Sequence, residues 1–539
     1  MADGWVLDAH LDRTTERMTL WLLLDDGRVR RLDRAWTPII HVHAEAARLE
    51  SLAVALERDE YRIPFGPYEV GFERRRLDLE DARQSVVLAI RSARPSRLAR
   101  LAEAIDGSGG WGRLSLYSVD PRFTQRFLSD LGTHPFGRVR LSAGELQPLD
   151  ARCDVDWRMP PLRVCSLHVE CDDEHGHRTA VAPIERITIE PLPRLGSDAP
   201  AGTPIIIERA EPAVMMVALN DAIRTVDADV IMTEGGDIID LPALHRLSAV
   251  AKVPLVLGRS DHDARPRTTA RTAWSYGRLI RKEAYHALEG RIHIDVRGSF
   301  LVREGGLEGL LELARLSGLS AQDLSRLSPG SAISAMQMRQ AMDDGVLVPW
   351  KKNRPEDMKT GLELLRADRG GLYLEPSVGV HRDVVEIDFA SLFPSIIATR
   401  NISPETMGCS CCDPAEDADG GRCDDGRLPL DVGRAAAEVQ RRRGSDESLR
   451  LQVPGLALHT CTRRHGFLGR VVAPVIRRRQ ILKGWRMRKG DGFDRRQNLL
   501  KWILVTCFGY TGYKNARFGR IECHEAICAW SREILLQAM

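Results

Sequence analysis

The sequence predicts an α/β protein built from several domains, and three observations support this prediction. The chain has 539 residues, which is more than one hydrophobic core usually serves, so three or four domains are expected. Apolar and β-branched runs alternate with amphipathic helical patterns along most of the chain, which indicates mixed or parallel sheets covered by helices. Near the carboxyl end, two long helical patterns flank "KGDGFD" and predict a helical hairpin.

The first predicted domain covers residues 1–150 and has mixed α/β character. Strand-like runs such as "MTLWLLL", which precedes the turn "DDG", alternate there with helical stretches such as "EAARLESLAVALE". A second α/β domain, over residues 151–310, begins with the apolar run "PPLRVCSLHVECDD". Within it, "DADVIMTEGGDIIDLPALHRLSAV" has the pattern of a strand, a glycine turn and a helix, so we expect a βαβ-like succession.

Three further segments complete the predicted organisation. Residues 311–470 begin within the helical stretch "GLEGLLELARLSGLSAQDLSRL" and continue into two strand-like runs, "LYLEP" and "DVVEIDF". The run "DVVEIDF" is expected to be a buried strand, and a polar loop follows it at about residues 412–450. The helical hairpin occupies residues 471–515, and residues 516–539 return to the preceding domain.

The composition is that of an ordinary globular protein, with 43% hydrophobic residues, 28% charged residues and a formal net charge of +2. The sequence contains no apolar run of about 18 residues that could span a membrane. Its first residues lack the pattern of a secretory signal. We therefore expect a cytosolic protein whose eleven cysteines are reduced thiols or metal ligands.

Four of these cysteines lie close together in the predicted polar loop. They are Cys409, Cys411, Cys412 and Cys423. Four thiols in one loop can bind a structural Zn²⁺, although their spacing is not that of a standard site with two pairs of ligands. Reduced thiols that bind no metal are the alternative.

One acidic residue, Asp388, comes at the end of the strand-like run. An aspartate at the point where a strand meets a turn commonly caps the next helix, and this is one interpretation. The other is a carboxylate that binds a divalent cation together with the neighbouring backbone carbonyl. The turn and the helix start after it would then offer amide groups and the Ser391 hydroxyl to phosphate oxygens.

The predicted hairpin is strongly basic. Residues 470–520 contain fourteen Lys or Arg and two Asp, a local net charge of +12, and such an excess favours a phosphate partner. Arg479 and Lys483 are four residues apart and share one helix face, while Lys501 lies on the opposing helix. A metal-bound carboxylate and three cations around a triphosphate are the equipment of nucleotidyl transfer. Solvated helix faces without a phosphate partner are the alternative.

Several stretches resemble family B DNA polymerases, in the order in which that family has them. "GGLYLEP" and "VVEIDFASLFPSIIATRNISPETMGC" are similar to its first palm motif, and "VIRRRQILK" and "RRQNLLKWILVTCFGYTGYKNARFG" to its fingers helices. "GWVLDAH" resembles the opening of its N-terminal domain. The resemblance implies a mixed α/β N-terminal domain, an RNase H-like exonuclease-type domain, and a partial polymerase palm with helical-hairpin fingers.

The resemblance also implies roles for individual residues. Asp388 is expected to bind both catalytic Mg²⁺ ions, and the Phe389 carbonyl is expected to bind one of them. Lys501 is expected to act in catalysis as well as in binding. Phe393 stands where the family usually has a tyrosine that excludes the ribose 2′-hydroxyl, and a phenyl ring can still block it sterically. The residues expected to contact the incoming dNTP are Ser391, Leu392, Phe393, Arg479, Lys483 and Lys501.

The region that resembles the exonuclease departs from the family's pattern. The first exonuclease motif is Asp-x-Glu, and here His168 replaces its aspartate while Glu170 is kept. In the second motif Gly235 replaces an asparagine while Asp240 is kept, and no credible third motif follows. Because a two-metal hydrolytic site needs several carboxylates, we expect Glu170 and Asp240 to be vestigial and proofreading to be lost.

Two other departures concern the fingers and the end of the chain. Val505 and Phe508 stand where most relatives have an asparagine and a tyrosine, which is typical of a divergent paralogue group with a degenerate exonuclease. On the resemblance, residues 516–539 end before the second palm aspartate and the thumb, so the thumb is expected to be absent and the two-ion Mg²⁺ site incomplete. A second polypeptide that supplies the missing parts and a truncated product are both open interpretations.

The sequence therefore predicts the N-terminal portion of a DNA-directed DNA polymerase. It would add dNTPs to a primer 3′-hydroxyl on primer–template DNA, in replication or repair. The alternative is a non-catalytic DNA-binding homologue or subunit, which would share the basic hairpin and need no chemistry at Asp388. A standalone nuclease is disfavoured by the missing exonuclease carboxylates. The expected location is the cytoplasm, in association with the nucleoid, without a membrane partner.

Overall fold

The chain divides into two units, each assembled from separate segments of sequence. The first contains Met1–Trp36, Arg122–Ser328 and Asp491–Leu499, and the second contains Thr37–Pro121, Pro329–Gly490 and Leu500–Met539. The structure, a computed structural model, describes residues 1–110, 112–172, 175–197, 200–260, 270–275, 278–352, 355–367, 369–409, 450–489 and 491–539.

Strands occur in both units. In chain order the described strands are β1 (Ala2–Asp12), β2 (Arg17–Leu24), β3 (Val29–Arg34), β4 (Ile39–His43), β5 (Tyr68–Arg75), β6 (Ser85–Ser92), β7 (Ser115–Tyr117), β8 (Arg138–Ser142), β9 (Glu145–Pro148), β10 (Val164–Glu170), β11 (Arg186–Leu192), β12 (Ile205–Glu208), β13 (Val230–Thr233), β14 (Arg271–Ser275), β15 (Arg278–Lys282), β16 (Ile292–Asp295), β17 (Arg450–Gln452) and β18 (His459–Cys461).

Helices connect and cover these strands. In chain order the described α-helices are α1 (Ala46–Leu56), α2 (Asp59–Phe65), α3 (Leu98–Gly109), α4 (Phe123–Asp130), α5 (Pro212–Val226), α6 (Leu241–Ala251), α7 (Phe300–Ser317), α8 (Ala321–Ser325), α9 (Pro329–Asp343), α10 (Gly361–Ala367), α11 (Leu392–Thr399), α12 (Phe467–Lys489), α13 (Asp491–Thr511) and α14 (Ile521–Ala538). A 3₁₀ turn covers Pro95–Arg97, and a π-helical turn covers Gly236–Asp240.

The first unit contains an antiparallel sheet in the order β3–β2–β1–β8–β9. Strand β2 is apolar on both faces, and every residue after Arg17 in it is buried. Helix α4 covers this sheet with Phe127 and Leu128, which share one core with Val6 and Leu22. Burial of such side chains stabilises the sheet by about 25 cal/mol for each Å² of apolar surface removed from water.

A second sheet of the first unit, in the order β12–β11–β10–β13–β16, is mixed. Strand β10 pairs in parallel with β13, and β13 in parallel with β16, whereas β11 and β12 run antiparallel to their neighbours. Helices α5 and α6 pack on it through Met216, Leu219 and Leu244, which are buried with Leu167 and Val169 of β10. The predicted βαβ-like succession is present, and the carboxyl ends of its parallel strands meet at one edge.

The helical stretch that begins with "GLEGLLELARL" forms the later part of α7, and α8 follows it in the first unit. The Ser299 hydroxyl accepts a hydrogen bond from the Val302 amide and so caps the start of α7. Gly318, with φ of 75°, follows its last residue and ends the helix in the left-handed conformation that glycine adopts without strain.

The second unit combines a four-stranded antiparallel sheet and the two-stranded sheet β17–β18 with most of the carboxyl-terminal helices. The four-stranded sheet has the order β5–β6–β4–β7, and helices α1 and α3 bury apolar residues such as Leu52 and Leu101. Helix α14 is buried along Ala526, Ile527 and Trp530. In the described part of the chain, no helix has the length and apolar character that crossing a membrane requires.

The predicted helical hairpin corresponds to α12 and α13. Helix α12 ends at Lys489 and α13 begins at Asp491, so "GFD" of the expected turn belongs to the second helix. The residues of α13 up to Leu499 belong to the first unit, and those from Leu500 on belong to the second.

The prediction of a buried strand at "DVVEIDF" is wrong. The segment is irregular and pairs with no strand among the residues that the structure describes. The side chains of Val384, Val385 and Ile387 are 74%, 80% and 76% exposed. The β-branched residues favour a strand only where a neighbouring strand and a packed face receive them, because the β propensity mainly measures that packing. The run "LYLEP" is likewise irregular.

Candidate active site

A cavity of about 710 Å³ lies in the second unit. It is lined by the residues before and within α11, by α12 and by the carboxyl-terminal half of α13. The lining residues are Asp388, Phe389, Ala390, Ser391, Leu392, Phe393, Pro394, Arg479, Lys483, Lys501, Leu504, Val505 and Phe508. The structure thus brings together all eight residues that the sequence associates with the metal ions and the dNTP, although they come from three separate stretches.

The start of α11 shapes one wall of the cavity. Ser391 precedes the helix with φ of 53° and ψ of 52°, and its side chain makes no capping hydrogen bond. Asp388 lies three residues before that position, so the interpretation of Asp388 as a helix cap is wrong. A non-glycine residue in the left-handed region costs about 1–3 kcal/mol and is often found at functional sites.

The charged groups of the cavity have few protein partners. Arg479 Nη1 donates a hydrogen bond of 3.2 Å to Ser391 Oγ, and burial lowers the pKa of this arginine from its ordinary value. Asp388, Lys483 and Lys501 are exposed, and none of them forms a hydrogen bond or ion pair within the described residues. Three cations and one carboxylate therefore line one cavity, and the excess of positive charge suits an anion with several charges.

Five of the other arginines of residues 470–520 form ion pairs with carboxylates of the same unit. The ion pairs are Arg470–Asp344 at 2.8 Å, Arg495–Glu308 at 3.2 Å, Arg496–Glu312 at 2.9 Å, Arg520–Glu522 at 3.0 Å, and Arg517–Asp120. The local charge of +12 therefore overstates what the hairpin offers to a phosphate partner. Each of these five arginines already has a carboxylate partner, which weakens the case that it binds phosphate.

A stack of three rings supports the cavity. The rings of Phe393 and Phe508 have centroids 4.3 Å apart, and the rings of Phe508 and His524 are stacked at 4.2 Å with an interplanar angle of 20°. The stack joins α11, α13 and α14. Sequence reasoning missed His524, because a single histidine in the helical pattern "ECHEAIC" gives no signal of its neighbours.

The segment after α11 holds the start of α12. The Asn401 side-chain oxygen accepts a hydrogen bond of 2.7 Å from the Gly466 amide, and Ser403 Oγ accepts one of 3.1 Å from Leu468. Glu405, which is 5% exposed, accepts one from the Phe467 amide. Oxygen acceptors at a helix N-terminus satisfy amides that lack partners within the helix. These contacts fix the helix that carries Arg479 and Lys483.

The predicted zinc site falls mostly outside the described residues. Cys411, Cys412 and Cys423 are not among them, whereas Cys409 is described and lies with its Sγ 3.8 Å from His459 Nε2. Within the described residues, no group of three or more His, Cys, Asp or Glu side chains could hold a metal ion. A structural zinc ion therefore stays a prediction. The cysteine spacing did not indicate that His459 lies beside Cys409.

The two acidic residues predicted as exonuclease vestiges lie in the first unit, each beside an arginine. Glu170 is 3.4 Å from Arg186, and the buried Asp240 forms an ion pair with Arg178. Burial raises the pKa of Asp240 to about 6. Gly235, where the sequence resemblance predicts an asparagine, has φ of 87°, a conformation in which any side chain would be strained.

Comparisons with known proteins agree on one family. Residues 330–539 match the family model described as DNA polymerase family B. DNA polymerase 1 of Pyrococcus abyssi is 26% identical over 304 residues, which cover 55% of this chain and 33% of that protein. The DNA polymerase of Desulfurococcus sp. (strain Tok) is 23% identical over 487 residues, or 79% of this chain and 54% of that protein. The chain thus spans about a third to a half of the length of these relatives.

A solved structure extends the likeness to the fold. The family B DNA polymerase from the hyperthermophilic archaeon Pyrobaculum calidifontis matches with a TM-score of 0.68 and 19% identity, over 100% of this chain and 72% of that one. This match confirms the predicted mixed α/β fold of several domains. Residues 330–539 are thus similar in sequence to DNA polymerase family B, and the chain shares its fold with a solved polymerase of that family.

Proposed function

We propose that this chain acts in DNA-directed DNA synthesis and binds the triphosphate of an incoming dNTP in the cavity beside Asp388. The observation that carries this proposal is the set of charges that face the cavity. Arg479, Lys483 and Lys501 converge there, and the two lysines have no partner within the described residues. A triphosphate carries several negative charges in a small volume, so it matches three convergent cations better than single phosphates of a DNA backbone do.

The three cations have different chemical capacities. The Arg479 guanidinium is planar and can donate two parallel hydrogen bonds to one phosphate group, and Ser391 Oγ already orients it. Lys483 and Lys501 present compact charges from two different helices. Charge that moves onto the leaving pyrophosphate would be stabilised by groups already in place, which is how positioned cations accelerate phosphoryl and nucleotidyl transfer.

Family B DNA polymerases generally use divalent metal ions. Asp388 and the Phe389 carbonyl fit as oxygen ligands of Mg²⁺ at the edge of the cavity. When bound, Mg²⁺ would neutralise phosphate charge and activate the primer hydroxyl. The described residues offer one carboxylate at this place, which does not complete a site for two ions. A second polypeptide that supplies further carboxylate ligands stays a prediction.

The sugar of the nucleotide would lie against Phe393. Its phenyl ring has no polar atom that could satisfy a 2′-hydroxyl, and the contact with Phe508 limits its movement. A ribonucleotide would therefore lose hydration of its 2′-hydroxyl without a replacement hydrogen bond.

The runner-up is a non-catalytic DNA-binding homologue. A surface that binds DNA only through its phosphates gains nothing from an exposed carboxylate beside its cations, because Asp388 would repel the phosphates. The placement of Asp388 in the same cavity as Arg479, Lys483 and Lys501 therefore favours nucleotide and metal chemistry. With primer–template DNA as its partner, the protein would be located with the nucleoid in the cytoplasm.

Nucleotide binding by Lys483→Ala and Arg477→Ala tests the proposal. Both residues lie exposed on α12, but only Lys483 lines the cavity. Isothermal titration with dATP and Mg²⁺ should show roughly a tenfold or larger loss of affinity for Lys483→Ala, because a charged hydrogen bond to phosphate is lost. Arg477→Ala should bind as the unchanged protein does. Equal affinities of the two variants would contradict the proposed site.

A further inference from the structure

Asp240 is a carboxylate in the interior of the first unit, and it lies at the edge where the parallel strands β10 and β13 end. It is the last residue of the π-helical turn that follows β13, and it is 0% exposed. Its Oδ1 accepts a hydrogen bond of 3.3 Å from the Val169 amide of β10. A buried ionised carboxylate needs a cation or several donors, since its desolvation costs several kcal/mol or more.

Arg178, from the segment between β10 and β11, supplies that cation. Its Nη2 donates to Asp240 Oδ1, its Nη1 donates 2.7 Å to the Glu234 carbonyl, and its Nε donates 3.2 Å to the Val169 carbonyl. One carboxylate oxygen and two backbone carbonyls, from three different places in the chain, thus converge on a single positive group.

The three oxygen atoms are of the kinds that bind hard divalent cations, namely carboxylate and backbone carbonyl. The guanidinium already lies among them. Glu170, the acidic residue of the first exonuclease-like motif, is bound by Arg186 at 3.4 Å. Asp295, a third carboxylate at this edge, accepts hydrogen bonds from the amides of Gly235 and Asp237. The residues present therefore do not fit a pair of metal ions.

We propose that the Arg178 guanidinium takes the place of a metal ion in this exonuclease-like site. The domain then holds its buried carboxylate with an internal cation and binds no divalent metal there. The loss of proofreading predicted from the missing carboxylates follows for a second reason, because a hydrolytic metal ion would have to displace a guanidinium bound by three acceptors. This inference does not depend on the polymerase chemistry of the second unit.

Hydrogen exchange of the β10 and β13 peptides in the full chain measures the pairing. Arg178→Met should raise the opening constant of these peptides roughly a hundredfold or more, because it leaves a buried charge unpaired. Arg178→Met with Asp240→Asn should recover most of that loss. If the effects of the two substitutions simply add, Arg178 does not serve as the cation for Asp240, and the proposal is overturned.

Arg246→Met is the matched control. Among the described residues, Arg246 donates hydrogen bonds to the carbonyls of Val181 and Ala182 and to no carboxylate. Its loss therefore leaves no buried carboxylate of this part of the chain without a cation. We expect a smaller effect that Asp240→Asn does not change.

The unchanged protein supplies a test that needs no variant. Exchange of β10 and β13 should be the same in Mn²⁺ and in EDTA, and a labelled primer should stay intact in Mn²⁺. Added protection of these peptides by Mn²⁺, or primer degradation that Asp240→Ala abolishes, would show that a metal ion enters this site and would refute the proposal.

Discussion

Asp388 and Asp240 both come from stretches that resemble metal-binding motifs of one family, and their surroundings differ in every respect. Asp388 is exposed, and no residue in the described part of the chain binds its carboxylate. Asp240 is fully buried and paired with Arg178. A carboxylate that faces solvent beside unpaired cations can bind a ligand, whereas a carboxylate with an internal cation cannot. We call the cavity beside Asp388 the available site and the surroundings of Asp240 the closed site. The charge around the carboxylate, and not the presence of the carboxylate itself, distinguishes the two.

Asp295 sharpens this comparison because its sequence context is the same as that of Asp388. Both follow a stretch that contains β-branched residues, "IHI" before Asp295 and "VVEI" before Asp388. Asp295 is 5% exposed, and its two oxygens accept hydrogen bonds of 2.8 and 3.0 Å from the amides of Gly235 and Asp237. It is therefore a structural residue. An acidic residue at the end of an apolar run does not by itself reveal which role it has.

The largest expected effect comes from neutralising the available carboxylate. Asp388→Asn should lower primer extension, in whatever assembly shows it, by roughly 10²–10³-fold, because positioned electrostatic groups at the reacting phosphate contribute about that much. It should also remove the gain in dATP affinity that Mg²⁺ provides, measured by titration with and without the metal ion.

Asp383→Asn is the control for Asp388→Asn. Asp383 is exposed in the same irregular segment and does not line the cavity. It should leave both extension and the Mg²⁺ dependence unchanged. A Mg²⁺ dependence that survives in Asp388→Asn would remove the distinction between Asp388 and the buried carboxylates.

The sequence predicted the cavity better than it predicted its surroundings, and the reason is physical. The residues from Asp388 to Phe393 are contiguous, and Arg479 and Lys483 share a helix face, so local spacing carries the information. The contacts of Arg178, Glu405 and His524 join positions far apart in the chain, and no local pattern announces them. The strand expected at residues 383–389 did not form, because strand formation requires a partner strand that β propensity does not supply.

The second prediction concerns the pH dependence of the closed site. Burial raises the pKa of Asp240 from its ordinary value of 3.8 to about 6, while Arg178 acts in the opposite direction. Between these values the folded state binds a proton that the unfolded state has lost. The stabilisation is fully present below about pH 4 and is lost as the pH rises through about 6. The expected loss is about 3 kcal/mol.

The measurement is the free energy of opening of β10 from hydrogen exchange between pH 4.5 and 7.5, corrected for the intrinsic pH dependence of exchange. Asp240→Asn should not show the fall, because its side chain does not titrate. If the opening free energy of the unchanged protein and of Asp240→Asn depended on pH in the same way, Asp240 would not titrate in this range. The electrostatic difference between Asp240 and the exposed Asp388 would then not be supported.

The smallest expected effect concerns the aromatic rings that support the cavity beside Asp388. The closed site is held by an ion pair, whereas Phe393 is supported by the ring of Phe508 and, behind it, by that of His524. His524→Ala should lower the preference for dATP over ATP roughly two- to tenfold, since an aromatic contact contributes about 0.5–1.5 kcal/mol beyond its buried area. His524→Phe keeps a ring at this position and should keep the preference.

Because His524 does not line the cavity, its loss should leave the affinity for the triphosphate itself nearly unchanged. A large fall in the affinity for both nucleotides would instead indicate that the stack holds α13 and Lys501 in place, and the preference would then depend on the cations rather than on the position of Phe393.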